Sequence, residues 1–197
     1  DSTAAESTDA DTLDSFTSDG FQVDADVKVN TNAEKYVAWC WKANGTGSSN
    51  TDGTINTGAT SANTTSGFSI STYTGTGSAA TVGHGLGVAP ALVITKRRAS
   101  SDASWAVFHH KNTAEPETDN LKLDTTAATA DDSGVWNDTA PSSTVFSAGD
   151  DGVVNASGST YVAYAFADVQ GFSKFGTYEG NGNVDGPFLY CGFRPAF

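Results

Sequence analysis

The sequence GFSISTYTGTG, residues 67–77, recurs later in the chain as GFSKFGTYEGNG, residues 171–182. From the tyrosine onward the two copies keep a constant spacing of 105 positions, which relates Tyr73 to Tyr178 and continues to a Gly-x-x-Pro motif in each copy. A chance match does not hold one spacing over that length. Because internal repetition defines the structural unit of a chain, these copies are the first feature to interpret.

A second pair of related segments precedes these two copies. The sequence YVAWCW in residues 36–41 recurs as YVAYAF in residues 161–166, which is 125 positions later. Both segments place bulky side chains on each face of an extended chain, a pattern typical of a strand in the middle of a sheet. The alternating order of the two kinds of segment predicts two interlocked internal repeats.

The composition indicates an all-β protein. Gly, Ser, Thr, Asn and Asp are abundant and no helical periodicity is present, so we predict β-sandwich or jelly-roll-like modules with long Gly/Ser/Thr/Asn loops. Residues 18–20, Ser-Asp-Gly, read as the turn of a hairpin, and the alternation in residues 23–29 predicts a half-buried strand after it.

The repeats divide the chain into three parts. We predict a polar N-terminal arm in residues 1–14, a first β module in residues 15–143 with a long loop in residues 44–66, and a second, truncated copy in residues 144–197 packed with the first. The first copy continues past Pro90 into an apparent strand, whereas the second reaches Pro195 and two more residues. This contrast predicts either a longer parent chain or a strand supplied by a neighbouring subunit.

The charge of the chain argues against two classes of partner. The formal net charge is −13, so nucleic acid and anionic membranes would be repelled at moderate salt. No apolar run approaches the roughly 20 residues that span a bilayer. The acidic charge is explained by solubility, by divalent cation binding or by a marine, salt-adapted origin.

Five residues stand out as candidate contacts with a ligand or a subunit. Lys96, Arg97 and Arg98 form a basic cluster in an acidic chain, which is either a solvated strand end or a contact for the acidic face of a neighbouring subunit. Trp105 and Trp136, each placed by its neighbours in a predicted strand, are candidate stacking surfaces for a sugar.

No catalytic constellation is recognisable, and we predict no enzymatic activity and no catalytic residues. The chain has three histidines, His84, His109 and His110, in no arrangement that supports a nucleophile with a base or a zinc site. We predict no cofactor, and calcium is the ion that the Asp/Asn/Gly loops could bind, although they lack the EF-hand pattern. Cys40 and Cys191 occupy non-equivalent repeat positions, so we expect two small buried apolar residues rather than a disulfide.

The repeated motifs carry a family resemblance. Residues 36–43, residues 67–90 and residues 182–195 together resemble a module of uncharacterised function found in structural proteins, such as tail fibre and other virion proteins, of marine tailed bacteriophages and cyanophages. The resemblance covers most of residues 15–197 and implies a setting, without catalytic residues to carry over.

Three functions follow as hypotheses. The first is a non-enzymatic virion protein, extracellular in location, that sits in a tail fibre, a tail-associated complex or a capsid surface and binds copies of itself and other virion proteins. The second is a carbohydrate-binding module for a host cell-surface glycan. The third is a self-polymerising extracellular filament subunit.

Overall fold

The computed structural model describes residues 3–99 and 102–195. The first two residues of the predicted arm, and Ala196 and Phe197 at the start of the predicted final strand, lie outside this range. The chain forms two compact units. The N-terminal unit is Glu6–Trp41, and the main unit comprises Asp1–Ala5 and Lys42–Phe197.

The secondary structure is mainly short strands. In chain order the strands are β1 (Leu13–Phe16), β2 (Phe21–Val23), β3 (Ala59–Asn63), β4 (Phe68–Thr74), β5 (Ala80–Gly83), β6 (Leu92–Arg97), β7 (Ala106–His109), β8 (Asp119–Lys122), β9 (Ala130–Asp131), β10 (Val145–Ala148) and β11 (Thr160–Phe166). The helical segments are the single turns α1 (Val27–Asn30), α2 (Ser133–Trp136) and α3 (Gly152–Asn155), with a 3-10 turn at Pro116–Thr118. Within residues 3–99 and 102–195, no helix has the length and apolar character needed to cross a membrane.

The main unit is built on a seven-stranded antiparallel sheet. Its strand order is β3-β4-β11-β6-β7-β8-β9, so β11 lies between β4 and β6. In the β4–β11 pair, Tyr73 is opposite Tyr161 and Phe68 is opposite Phe166. The all-β class is therefore confirmed, as is the prediction that residues 161–166 form a strand inside a sheet.

The core lies on one face of this sheet. Along β11 the side chains of Tyr161, Ala163 and Ala165 are buried, while Thr160, Val162 and Tyr164 between them are half-buried. The buried face is covered by the antiparallel pair β5–β10 and by the turns α2 and α3. Phe146 of β10 is fully buried, and its ring lies 6.3 Å from that of Tyr73 on the sheet.

The segment predicted as a long loop, residues 44–66, is partly ordered in the sheet. It contains the edge strand β3, and Ile55 forms a bridge with Val82 of β5. The hydroxyls of Thr57, Thr60 and Ser71 form a buried hydrogen-bonded series with distances of 2.9 Å. Paired hydroxyls of this kind let a Ser/Thr-rich segment enter a sheet, which composition alone does not reveal.

The N-terminal unit begins with the predicted hairpin. Strands β1 and β2 pair around the turn, where the Thr17 N–H donates to the Gly20 carbonyl at 2.9 Å. The prediction of a strand through residues 23–29 is wrong beyond Val23, because residues 27–30 form the turn α1. Asp26 caps this turn, and a cap of that kind outweighs the β propensity of alternating valines.

The prediction of a central strand at residues 36–41 is wrong for the described structure. These residues have no regular secondary structure, and Val37 and Trp39 are 82% and 65% exposed. The counterpart strand β11 already occupies the position between β4 and β6. The sequence pattern is that of a central strand, but the two strands that would flank it in the main unit are paired elsewhere.

Two smaller predictions also need correction. Val135 and Trp136 lie in the helical turn α2 rather than in a strand, because Asp132 caps the segment and Asn137 ends it in the left-handed region. Cys40 is exposed and free rather than buried, and Cys191, also free, is partly buried. The predicted boundary between modules at residue 143 stays a prediction.

Candidate functional site

The turns α1 and α3 are capped in the same way although they lie 125 positions apart. A side-chain oxygen of Asp26 accepts a hydrogen bond from the Lys28 N–H at 2.7 Å, and a side-chain oxygen of Asp151 accepts one from the Val153 N–H at 2.7 Å. The shared sequence Asp-x-x-Val-Asn thus forms the same turn twice, because the aspartate satisfies an N–H that would otherwise lack a partner.

A tyrosine closes each turn with the same two hydrogen bonds. The Tyr161 hydroxyl donates to the Gly152 carbonyl at 2.6 Å and accepts from the Ala156 N–H at 2.7 Å. The Tyr36 hydroxyl donates to the first carbonyl of α1 and accepts from the N–H just after that turn, both at 2.9 Å. The N-terminal unit therefore contains a local structural copy of the segment that leads into β11.

These two copies have opposite environments. Tyr161 and Phe146 are 0% exposed, whereas their counterparts Tyr36 and Phe21 are 49% and 41% exposed. The two copies therefore have the same local hydrogen bonds, but the copy in the main unit is covered and the copy in the N-terminal unit is exposed. We call the exposed surface formed by α1 and Tyr36 the open turn.

In the main unit, the loop after β4 covers the turn α3. We call this loop, residues 75–78, the first glycine loop. The buried side chain of Asn155 clamps it: its Oδ1 accepts from the Thr76 N–H at 2.7 Å, and its Nδ2 donates to the carbonyls of Ser78 and Gly149, each at 2.7 Å. A buried amide with these partners fixes the loop against the turn.

The equivalent asparagine of the open turn has fewer partners. Asn30 is exposed, and its Nδ2 donates to the Asp24 carbonyl at 3.0 Å. Asp24 is the counterpart of Gly149, so this bond repeats one of the three made by Asn155. Within the part of the chain that the structure describes, no loop backbone takes the place of Thr76 and Ser78.

Close backbone approach explains the first glycine of the loop. A Cβ atom on Gly75 would lie 2.4 Å from the Ala156 carbonyl oxygen, a distance that side chains do not tolerate. Just before the loop, Tyr73 is buried, donates to the Val154 carbonyl at 2.7 Å and stacks on Tyr161 with ring centroids 5.0 Å apart. Burial, and secondarily the nearby Tyr161, raises the pKa of Tyr73 well above its ordinary value.

The second glycine loop, residues 180–183, keeps the local backbone of the first without its contacts. Gly77 and its counterpart Gly182 both have positive φ, of 77° and 68°. Gly180, the counterpart of Gly75, has no atom within 4 Å of the Cβ position, and Tyr178 is 68% exposed. This loop is therefore built like the first but is uncovered.

The three residues of the predicted basic cluster do not share one exposed surface in the structure. Lys96 is 6% exposed, and its Nζ donates to the Ala103 carbonyl at 2.8 Å, so this side chain does not extend into solvent. Arg97 and Arg98 are half-buried, and the Arg98 N–H donates to the Thr160 carbonyl at 2.8 Å. Burial of its first member leaves no continuous basic surface at residues 96–98.

Arg97 borders a polar pocket of about 260 Å³. The pocket is lined by Arg97, Asp102, Ala103, Ser104, Asn120, Lys122, Asp132, Asp151, Gly152 and Val153. Two of its carboxylates, those of Asp132 and Asp151, already accept hydrogen bonds as helix caps. The pocket is lined by both basic and acidic side chains, and two of its carboxylates are held as helix caps. This arrangement does not resemble a nucleophile paired with a base.

Of the two predicted tryptophans, Trp136 lies in the core and Trp105 is half-buried. Trp136 is 2% exposed and packs edge-on against Phe108 at 6.1 Å, so it belongs to the core. Trp105 is half-buried, and its backbone N–H donates to the Asp124 carboxylate at 3.0 Å. The more exposed tryptophans are Trp39 and Trp41, at 65% and 49%.

The histidines are structural in the described chain. His84 is fully buried; its Nδ1 accepts from the Leu86 N–H at 3.2 Å and its Nε2 lies 3.2 Å from the Ser142 carbonyl, which together define a neutral ring. Burial lowers the pKa of His84. Burial, followed by the neighbouring His110, lowers the pKa of His109. Across residues 3–99 and 102–195, no group of three His, Cys, Asp or Glu side chains is placed to hold a metal ion.

The most informative residues, Asn155 and Tyr73 with their counterparts, were missed in the sequence as site residues. The signal that could have found Asn155 is the motif Asp-x-x-Val-Asn, which recurs at the same spacing of 125 positions as the predicted strands, whereas Tyr73 and Tyr178 belong to the repeat with a spacing of 105 positions. Residues that are covered in one copy and exposed in the other point to a surface that needs a partner.

Comparison with known families gives a match over the whole length of the chain. Residues 1–197 match the family described as Domain of unknown function (DUF7483). The chain belongs to the DUF7483 family. No curated protein and no solved structure matches this DUF7483 chain.

Proposed function

We propose that this protein is a non-enzymatic structural component of a bacteriophage virion, in a tail fibre, a tail-associated complex or a capsid surface. It acts through two interlocked repeats of a β-sandwich module. The observation that carries this proposal is the open turn, a local copy of a buried segment whose apolar side chains are exposed. The resemblance of the repeated motifs to phage structural modules supplies the setting.

Exposed apolar surface favours an interaction role. Two exposed tyrosines are the counterparts of core residues elsewhere in the chain: Tyr36 and Tyr178 are 49% and 68% exposed, against 0% and 3% for Tyr161 and Tyr73. Large apolar side chains that are exposed to this degree favour a site of association. The proposed partners are copies of the same chain and other virion proteins.

The acidic charge fits this role. A formal net charge of −13 opposes binding to nucleic acid or to an anionic membrane and keeps an extracellular particle surface soluble.

The test is the protein content of purified particles. Virions of the phage that encodes this chain would be purified by density gradient, digested and analysed by mass spectrometry, with immunogold labelling to locate the polypeptide. Detection at stoichiometric copy number supports the proposal. Absence of the polypeptide from infectious particles would refute it.

A second candidate function, glycan binding, is favoured by one observation. Trp39 and Trp41 are exposed and aromatic rings of this kind can stack on sugars. A glycan array probed with the purified chain and with its Trp39→Ala variant separates the two functions. Saturable binding that the variant loses would support a carbohydrate-binding module, whereas an array without signal would remove this candidate.

A further inference from the structure

We infer that the chain associates head to tail, with residues 177–183 of one copy covering the open turn of a second copy in the register that joins β4 to β11. We call residues 177–183 the docking segment. The inference rests on the proposed structural role and deepens it, since it names the partner and the contact.

The docking segment is the sequence counterpart of a segment that is already docked. Residues 177–183 read TYEGNGN and residues 72–78 read TYTGTGS, with the spacing of 105 positions that relates the two copies. Residues 72–78 end β4 and form the first glycine loop, which covers α3 and Tyr161. The docking segment thus carries the tyrosine and both glycines that make those contacts.

The open turn is the counterpart of the surface that the first glycine loop covers. It has the same aspartate cap, the same tyrosine bonds and the same asparagine as the α3 region. The backbone three residues beyond each turn also agrees, because Ala33 and its counterpart Gly158 both have positive φ, of 66° and 73°. The open turn therefore has the local structure of the α3 region. Within the described residues it differs in lacking the loop and the strand that cover α3.

The docking segment is exposed to solvent, and hydrogen bonds hold the part of the chain that precedes it. The Asp168 carboxylate binds the Lys174 Nζ at 2.5 Å and accepts from the Phe175 N–H at 2.8 Å, which holds the chain just after β11. All residues from 176 to 190 are exposed. The segment is therefore fixed at one end and accessible beyond it, as a strand-addition contact requires.

Each copy offers one surface of each kind, which suits association with a second copy. The docking segment repeats a segment that covers a capped turn, and the open turn repeats the capped turn. When the docking segment of one copy meets the open turn of the next, the same contact can repeat from chain to chain.

Charge complementarity supports the register. Thr74 is opposite Thr160 in the docked pair. At the spacings of the two copies, their counterparts are Glu179 and Lys35. A carboxylate would face an ammonium where the chain otherwise pairs two threonines, and opposite charges in directly facing positions stabilise a strand pair.

Gly180 gives a test that separates docking from folding. A side chain at Gly180 meets open space in the described chain, whereas its counterpart Gly75 lies against the Ala156 carbonyl. Gly180→Val should therefore leave the melting temperature unchanged and raise the dissociation constant for self-association at least tenfold, about 1.4 kcal/mol or more. The control is Gly186→Val, because the counterpart of Gly186, Thr81, already carries a side chain inside a strand pair.

The association is measured by sedimentation velocity over a concentration series of the full chain. Loss of association in Gly180→Val, with Gly186→Val behaving as the wild type, supports the inference. Two results overturn it: a wild type that stays monomeric throughout, or association that Gly180→Val leaves unchanged. In the second case the proposed structural role stands and another surface carries it, so the two failures are distinguishable.

Disulfide trapping tests the register and the occupant together. In a background with Cys40→Ala and Cys191→Ser, a Val37→Cys chain is mixed with a Thr177→Cys chain. The counterparts of these positions, Val162 and Thr72, are directly opposite in the sheet, so the two thiols should come within disulfide distance.

The mixed chains should form a disulfide-linked heterodimer under mild oxidation. An Ala38→Cys chain in place of Val37→Cys is the control, since a shift of one residue turns the side chain to the other face. Equal trapping with the control overturns the register. A disulfide that forms within one chain carrying both cysteines, and never between the mixed chains, overturns the second copy as the occupant.

Discussion

Substitution of one asparagine in each copy gives a direct test of what burial adds to an identical turn. Asn155→Ala and Asn30→Ala change the same residue of the same capped motif. The first asparagine is fully buried and the second is exposed. We expect the two variants to differ severalfold in their effect on the free energy of unfolding of the unit to which each asparagine belongs.

The magnitude follows from the bonds of the Asn155 amide. Its removal leaves the Gly149 carbonyl without its partner in the core, which costs about 1–3 kcal/mol. The bonds to Thr76 and Ser78 are partly exposed, so each contributes about 0.5–1.5 kcal/mol. We expect a loss of about 3–4 kcal/mol for Asn155→Ala and less than about 1 kcal/mol for Asn30→Ala, whose bond to the Asp24 carbonyl is exposed.

Urea denaturation followed by far-ultraviolet circular dichroism measures both values, at concentrations where sedimentation shows a monomer. The slope of the unfolding free energy against urea should be unchanged, so that the midpoint alone reports the loss. Equal losses for the two variants would refute the reasoning, because they would show that the clamp on the first glycine loop contributes nothing beyond the local turn.

Three further predictions use the same unfolding measurement. Tyr73→Phe should cost about 1–2 kcal/mol because it removes the bond to the Val154 carbonyl, while Tyr178→Phe should change nothing in the monomer. Phe146→Ala should cost about 3–5 kcal/mol, since the ring is fully buried and leaves a cavity; a loss below about 1 kcal/mol would contradict the core assignment. Burial lowers the pKa of His84 in the folded chain, so the unfolded chain binds more protons below its own pKa of about 6.5, and stability should fall as pH decreases below that value. His84→Gln should reduce this dependence, and an unchanged slope between pH 7 and pH 5 would contradict it.

The all-β class could be predicted from the sequence because it depends on local pattern. Bulky side chains on both faces of Tyr161–Phe166 identified β11 as an inner strand, and the turn signal at Gly20 identified the first hairpin. The inference of strands from side-chain patterns failed at Val27, because an aspartate side chain caps a helical turn in a segment whose residues alternate like those of a strand.

The candidate site was harder to predict, because burial is not a local property. Lys96 and Trp136 look like surface contacts in the sequence, yet the sheet and the turn α2 bury them. The exposed residues of interest, Tyr36 and Tyr178, look like core residues, since their counterparts are core residues.

The sequence by itself determined the local structure: two copies of a capped turn, two glycine loops and the order in which they alternate. Tertiary structure alone decided which loop covers which turn. In the main unit, β4 and the first glycine loop pair with β11 and α3, and a strand edge that is already paired has no hydrogen-bonding groups left for its repeat. For that reason two equivalent sequences take opposite environments, one in the core and one at the surface.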